Sequence, residues 1–531
     1  MTAYEIVETD ASGLMRRYGL GPLSAKLLQA ANLTDEQVTE ILSEDTDLSF
    51  SEAACVKTCC ARLLEARQNN EKIFVGGDYD ADGICSTAIM KRTLDRLGIQ
   101  NGYYIPDRFR EGYGLKKETV AKASEKGYTV IMTVDNGVKA QEAIAEARKL
   151  GMTVIITDHH RIEEDVDADI LVHPDLMEDR FSTLSGAGVA LEISRGLIGE
   201  DDVCTALAAV AAVGDVMPLW KETRKIVRNG IQILKTGAVP ALSALLYDPQ
   251  KTDETAIAFQ IVPKLNSVGR MNDISNVNTL VPFLLSNDPK AISRYTIQLN
   301  QVNEMRKQLS DAEAREAEQY CTDRNFEIIY SDSFHEGLCG LVAGKLANRY
   351  HKPVVILAKG ESLLKGSGRS VPGFDLFAFL GSFPHLQAFG GHEQAVGLSI
   401  APEDLEAFTK AVQVKMKETD FVYEEPVTKA ILVRENEIGF DQITEMERLK
   451  PLPKELSDYV FAVRGPEILE RREMNKVTKY RLQLAAGELE AVLFRWKNIT
   501  EPEEPQYFIG RFSVNRWRNQ ITCQMETEAI L

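Results

Sequence analysis

The feature that most constrains this chain is a repeated local pattern: a short β-branched run ending in aspartate, followed by a helix-like stretch. Ile73-Phe74-Val75 leads into Gly76-Gly77-Asp78-Tyr79-Asp80-Ala81-Asp82-Gly83. Thr129 to Val134 leads into Asp135-Asn136-Gly137, and Thr153 to Thr157 leads into Asp158-His159-His160. Helix-like stretches, such as Ser86 to Leu97 and Ala140 to Leu150, lie between the runs. Strand alternating with helix predicts right-handed crossovers and a mostly parallel sheet. Ligands of such a sheet bind in the crevice at the carboxyl ends of the strands. The three acidic ends are therefore expected to converge, although they lie far apart in sequence.

Converging carboxylates repel one another and are costly to desolvate, and a divalent cation removes that cost. Asp80 and Asp82, two apart, project from one side of an extended segment. Oxygen ligands suit Mg²⁺ and Mn²⁺, and an imidazole tilts a mixed site toward Mn²⁺ or a later metal. Asp215 follows the small-residue apolar stretch Ala206 to Gly214, which reads as a buried helix. A carboxylate at its end needs a cationic partner. A single Asp after a strand is usually a turn residue or helix cap. Three strands sharing the pattern, one ending in Asp-His-His, point instead to a metal site.

A chain of 531 residues exceeds one core and predicts about three domains. Residues 1–68 read as a helical lead, with apolar periodicity in Leu14 to Leu33 and Val38 to Leu42. The α/β region with the acidic pattern is expected over 69–285. Asp288-Pro289 reads as a helix start. The helix runs to about Tyr320, with an apolar face of Ile292, Tyr295, Leu299, Val302, Met305 and Leu309. At about 1.5 Å per residue it spans roughly 45 Å and reads as a connector (286–322) between two lobes. A second α/β segment (323–422) has strand-like Phe326 to Tyr330 and Val354 to Leu357 around a helix-like Leu338 to Arg349. The last part (423–531) alternates, as in Tyr480 to Leu484, and predicts a small β-barrel.

The net charge of -18 argues weakly against nucleic acid, although a local basic groove can coexist with an acidic exterior. Such interleaving occurs in the last part: Arg471, Arg472, Lys476, Lys479, Tyr480 and Arg481, then Phe494 to Lys497, Arg511-Phe512 and Arg516 to Arg518. Bases stack on aromatics while cations track the backbone; core aromatics of a barrel are the alternative. Cys55, Cys59 and Cys60 read as packing thiols, since no nearby fourth ligand completes a tetrahedral site. The start has neither a basic lead nor an apolar run, and no run approaches 18 apolar residues, so a cytoplasmic protein without membrane contact is expected.

Gly77 to Gly83 together with Asp158-His159-His160 resembles the DHH phosphoesterase superfamily. Ile105 to Leu115, Leu184 to Ala190, Gly214 to Leu219 and Pro263 to Arg270 resemble, in order, segments of its RecJ-type exonucleases. Gly366 to Ser370 and Phe389 to His392 resemble the DHH-associated domain. Three positions depart from the pattern. Gly76 stands where His is frequent, Glu393 to Gly397 replaces the commoner Ala-Ala-Gly, and Leu449 to Pro453 replaces the expected start of an oligonucleotide-binding (OB) fold.

The resemblance implies a parallel-sheet DHH domain, a connector helix, a smaller α/β DHH-associated domain and a mainly β, OB-like domain. It implies a 5′→3′ single-strand-specific DNA exonuclease of repair and recombination, with two divalent ions, Mn²⁺ or Mg²⁺. Asp78, Asp80, Asp82, Asp135, His159 and Asp215 would hold metal, and Asp158, His159 and His160 would form the catalytic motif. Arg270, His335, Ser367, Gly368, Arg369, Ser370, Gly391 and His392 would bind substrate. Single-stranded DNA would be the main partner, with a single-strand-binding protein or a helicase as candidate protein partners. The alternatives are a phosphodiesterase of short oligonucleotides or cyclic dinucleotides, and a non-catalytic replication scaffold.

Overall fold

The computed structural model describes residues 3–112, 114–485, 487–494, 499, 501–517 and 520–531, and only the backbone of 516, 517 and 520. The chain forms two compact units. One comprises Thr46–Met217 and Lys221–Glu424, the other Met1–Asp45, Pro218–Trp220 and Glu425–Leu531.

The larger unit carries two five-stranded sheets. The first is parallel throughout, in the order Asn101–Tyr104, Ile73–Gly76, Val130–Val134, Thr153–Thr157, Ile170–Val172. Of its three inner strands, Ile73–Gly76 and Val130–Val134 are buried at every position, as expected when helices cover both faces. The second strand in sequence lies on one side of the first, and the third lies on the other. The order in which strands are added therefore reverses between Ile73–Gly76 and Val130–Val134, which is where a crevice opens at the strand ends. The acidic segments 77–82 and 135–136 follow those two strands.

The helix Pro289–Glu318 is capped by the Asp288 side chain, which accepts from the Lys290 amide, and Pro289 occupies its first turn. Its buried face differs in part from the expected one. Ile292 and Leu299 are buried, but Met305 is 50% exposed, and Asn303, Ser310 and Glu313 lie inward instead. The second sheet follows this helix, in the order Leu386–His392, Ala395–Ile400, Leu364–Arg369, Val354–Lys359, Glu327–Ser331. The two lobes of this unit touch. Phe109 of the first packs edge-on against His335 of the second, and Lys365 Nζ donates to the Phe109 carbonyl at 2.5 Å.

The smaller unit is built on an eight-stranded mixed sheet. Residues 1–68 do not stay together as a helical lead. Ala3–Val7 is a strand that pairs in parallel with Val427–Val433, and its first 45 residues group with the C-terminal sheet. Helices Pro22–Ala30 and Asp35–Leu42 contribute Leu23, Leu27, Leu28, Val38 and Ile41 to one core with Phe461, Tyr480, Leu482, Phe508 and Met525. Cys59 and Cys60 are buried in the helix Ala54–Gln68, as expected, while Cys55 is partly exposed. Among the described residues no helix is long and apolar enough to cross a membrane.

Candidate metal centre and anion cleft

The acidic strand ends meet. Asp80 caps the helix Ala81–Arg96, its Oδ1 accepting from the amides of Asp82 and Gly83. Asp82, in the first turn of that helix, is held from another element. Its carboxylate accepts from Ser185 Oγ (3.1 Å) and from the amides of Gly186 (2.8 Å) and Ala187 (2.7 Å), at the start of helix Gly186–Ile198. A helix N-terminus stabilises an anion there. Asp135 sits at φ 59°, a conformation uncommon for a residue with a Cβ. The Asn136 amide donates to the Gly76 and Val134 carbonyls and ties down that turn. A Cβ at Gly186 would lie 2.6 Å from the Asp135 side chain, so only glycine lets the two elements approach this closely.

His159 Nε2 faces three carboxylates: Asp135 at 3.2 Å, Asp82 at 3.5 Å and Asp215 at 3.6 Å. Ligand atoms of Asp82, His159 and Asp215 lie within 4.8 Å of one another, as do those of Asp78, Asp80 and Asp135, and those of Asp135, His159 and His160. Three overlapping ligand sets therefore exist, one of carboxylates alone and two with imidazole, and Asp135 belongs to two of them. Asp158 differs from the other acids. It accepts from the amides of Val138, His159 and His160 and pairs with His160 Nδ1 at 2.8 Å. It is a positioning group that orients the two histidines.

The electrostatics follow this geometry. Burial, followed by the charge of Asp80, pushes Asp78 well above the usual carboxylate range. Burial, followed by the charges of Asp82 and Asp80, does the same to Asp135 and pushes Asp215 up to about 7. Burial would raise Asp158 as well, but His160 and the amides around it bring it below the ordinary value. Burial lowers His159 against the pull of Asp82, which favours the neutral imidazole that ligates metals. Buried Asp78 Oδ1 and His159 Nε2 have no hydrogen-bond partner among the described residues. Orphaned donor atoms in a crowd of acids are what a cation satisfies, so the residues present fit a divalent metal.

Beside this centre lies a second constellation. Arg108, Arg270 and Arg369 make no salt bridge among the described residues, and Arg108 stacks on Tyr79 with its Cζ 4.9 Å from the ring centre. Burial, followed by the like charges of Arg108, Arg369 and Arg306, lowers Arg270 to about 9. Arg369 is lowered by burial and by Arg108. Guanidinium groups gathered without carboxylates are poised for an anion. Ser367 Oγ and the Gly368 carbonyl accept from Arg369 and set its direction. Arg108 and Arg306 carry no substrate role on the sequence reading. Arg108 had a signal, because it lies within the quoted Ile105 to Leu115 segment.

Other expected substrate residues are placed differently. His335 Nδ1 accepts from the Gly337 amide, and its Nε2 faces Asp273 at 3.1 Å, so both ring nitrogens are engaged within the protein. Ser370 Oγ donates to the Phe374 carbonyl. Gly391 and His392 stand exposed at the hairpin end of Leu386–His392, where His392 Nδ1 accepts from the Gln394 amide. Among the described residues no hydrogen bond or ion pair joins His392 to the arginines or to the acidic centre.

In the C-terminal sheet most of the described cations are paired. Arg471 bonds Glu473, Glu501 and the Tyr480 hydroxyl, Lys479 pairs with Glu490, Arg481 lies by Glu470 and Glu488, and Arg511 pairs with Glu528. Tyr480 and Phe512 are core aromatics, 3% and 6% exposed. Arg495, Trp496, Lys497 and Arg518, and the side chains of Arg516 and Trp517, lie outside the described residues.

Comparison with known proteins agrees with this layout. Residues 72–214 match the DHH family N-terminal domain, 324–418 the DHHA1 domain and 431–529 the RecJ OB domain. The single-stranded-DNA-specific exonuclease RecJ of Bacillus subtilis (strain 168) is 31% identical over 98% of this chain and 70% of its own length. A crystal structure of exonuclease RecJ bound to manganese is 27% identical, with a TM-score of 0.63 over 71% of this chain and 97% of that one. A crystal structure of Thermus thermophilus RecJ with Mn²⁺ shares the fold at a TM-score of 0.83 and 23% identity, over 98% of this chain and 78% of that one.

Proposed function

The chain belongs to the RecJ family, and on that footing we propose that it is a metal-dependent exonuclease that hydrolyses phosphodiester bonds of single-stranded DNA in the 5′→3′ direction. The observation that carries the reading is the adjacency of a crowded acid–imidazole centre and an arginine cluster with no carboxylate of its own. Asp78, Asp80 and Asp135 would hold one divalent ion, and Asp82, His159 and Asp215 another, with Mn²⁺ or Mg²⁺ as the candidates. When bound, such ions acidify water and neutralise charge developing on a phosphate. Asp158 fixes the tautomer and direction of His160 and, through its amide, the position of His159. Arg108, Arg270 and Arg369 would grip a backbone phosphate and hold the scissile bond over the acids.

Ser367, Gly368, Ser370, Gly391 and His392 are assigned to the substrate-facing edge of the second lobe, with Ser367 and Gly368 acting through Arg369. His335 joins that edge only if its contact with Asp273 opens. A role in repair and recombination, a cytoplasmic location, and a single-strand-binding protein or helicase as partner belong to the same reading. The test is digestion of end-labelled single-stranded and duplex DNA with Mn²⁺ or Mg²⁺, with a dinucleotide in parallel. Processive loss of the single strand is expected, sparing the duplex and ceasing in excess chelator. Preference for the dinucleotide would favour a short-oligonucleotide phosphodiesterase, and turnover in chelator would contradict the metal centre.

A further inference from the structure

A second cavity, of about 690 Å³, opens on the outer edge of the parallel sheet, beside the edge strand Asn101–Tyr104 and the helix Lys117–Glu125. Its apolar wall is aromatic: Phe74, Tyr104 and Tyr128 line it, and Tyr128 meets Phe74 edge-on at 5.4 Å between ring centres. The wall depends on a glycine. A Cβ at Gly102 would lie 2.2 Å from the Tyr128 hydroxyl, so any other residue would push that ring off the strand. The rim is cationic. Arg110, Lys122 and Lys126 line it and make no ion pair among the described residues. Of the two carboxylates in the lining, Glu111 is already engaged by the Tyr104 hydroxyl at 2.5 Å and the Asp107 amide at 3.1 Å. Glu118 is left as the opposing charge. In a chain of net charge -18, such a patch of net positive charge is a local exception.

We propose that this cavity is a nucleoside-phosphate site, with a base lying against Tyr104 and Tyr128 and phosphates held by Arg110, Lys122 and Lys126. A planar ring beside a cluster of cations is the arrangement that recognises a nucleotide, because stacking and phosphate contact act at opposite ends of one ligand. The site is distinct from the acid–arginine cleft. The turn 107–111 contributes to each, with Arg108 joining the arginine cluster while Arg110 lines this cavity. The inference therefore goes beyond the exonuclease reading and does not depend on it.

The nucleoside phosphate is either a free nucleotide or part of a bound strand, and one experiment separates them. The full chain, in chelator so that hydrolysis is off, is titrated with fluorescent mant-ADP, competed by unlabelled ADP, and in parallel with labelled oligo(dT). The comparison is with a Lys122→Glu/Lys126→Glu double variant, whose side chains are exposed and whose fold is checked by circular dichroism. Saturable mant-ADP binding is expected, weakened at least about tenfold in the double variant and retained in Asp80→Ala. If oligo(dT) loses that affinity in the double variant and mant-ADP does not bind, the site stands and the strand supplies the ligand. The proposal is overturned if neither probe saturates, or if both bind the double variant as tightly as the wild type.

Discussion

Two regions of this protein are rich in arginine and lysine, and they use those charges in opposite ways. In the C-terminal sheet the described cations are mostly spent on neighbours: Arg471 on Glu473 and Glu501, Lys479 on Glu490, Arg511 on Glu528. In the cleft of the larger unit Arg108, Arg270 and Arg369 face one another without a carboxylate, and burial and mutual repulsion pull Arg270 down to about 9. A paired surface cation contributes little and is available to no one else. An unpaired, partly buried one is held in an unfavourable state that an anion relieves. Counting basic residues along the sequence cannot separate these cases, because the pairing is made across strands and between lobes.

That contrast is open to attack by mutation. The largest effect is expected at the acids beside the cleft. Asp135→Asn should lower hydrolysis on the order of a thousandfold or more, since it removes a group shared by two ligand sets. Hydrolysis within tenfold of wild type in a gel assay would separate Asp135 from the chemistry. Arg369→Ala comes next: affinity for a single strand should fall roughly ten- to a hundredfold, as for a lost charge-assisted contact. Fluorescence anisotropy in chelator reads this without turnover, and an unchanged Kd would end the anion role of the cleft. Gly186→Ala probes the scaffold under the acids. The added methyl meets Asp135, so Mn²⁺ affinity by calorimetry should drop by about ten- to a hundredfold. The smallest effect is expected at Arg471→Ala, less than about threefold on strand affinity, because its charge is already met. A loss as large as that of Arg369→Ala would erase the distinction between the two regions.

Much of the site was legible because its chemistry is local to strand ends. The alternation of β-branched runs with helices implied the parallel sheet, and the aspartates that terminate the runs are the residues that converge. Asp158 needed the structure to be told from its neighbours, since two of its amide donors and His160 come from the turn after Thr153–Thr157 and the third, Val138, from the segment after Val130–Val134. Ser185 and Gly186 lie within a quoted motif, but their purchase on Asp82, across about a hundred residues of chain, and on Asp135, across about fifty, is invisible to periodicity. The strand Ala3–Val7 is hidden for the same reason, because its partner Val427–Val433 stands at the far end of the chain. Met305 failed on a subtler point. Apolar spacing on the helix Pro289–Glu318 marked one face, yet Asn303, Ser310 and Glu313 are buried on it because polar partners wait there, as Lys345 does for Ser310.

The most direct test of the metal centre is equilibrium uptake of Mn²⁺ by the full chain, followed by electron paramagnetic resonance of the free ion. Saturable binding that approaches two ions per chain, and falls in both Asp80→Ala and Asp215→Ala, is the predicted result. No saturable uptake at millimolar Mn²⁺, or uptake indifferent to both substitutions, would mean that these acids and His159 are gathered for something other than a metal.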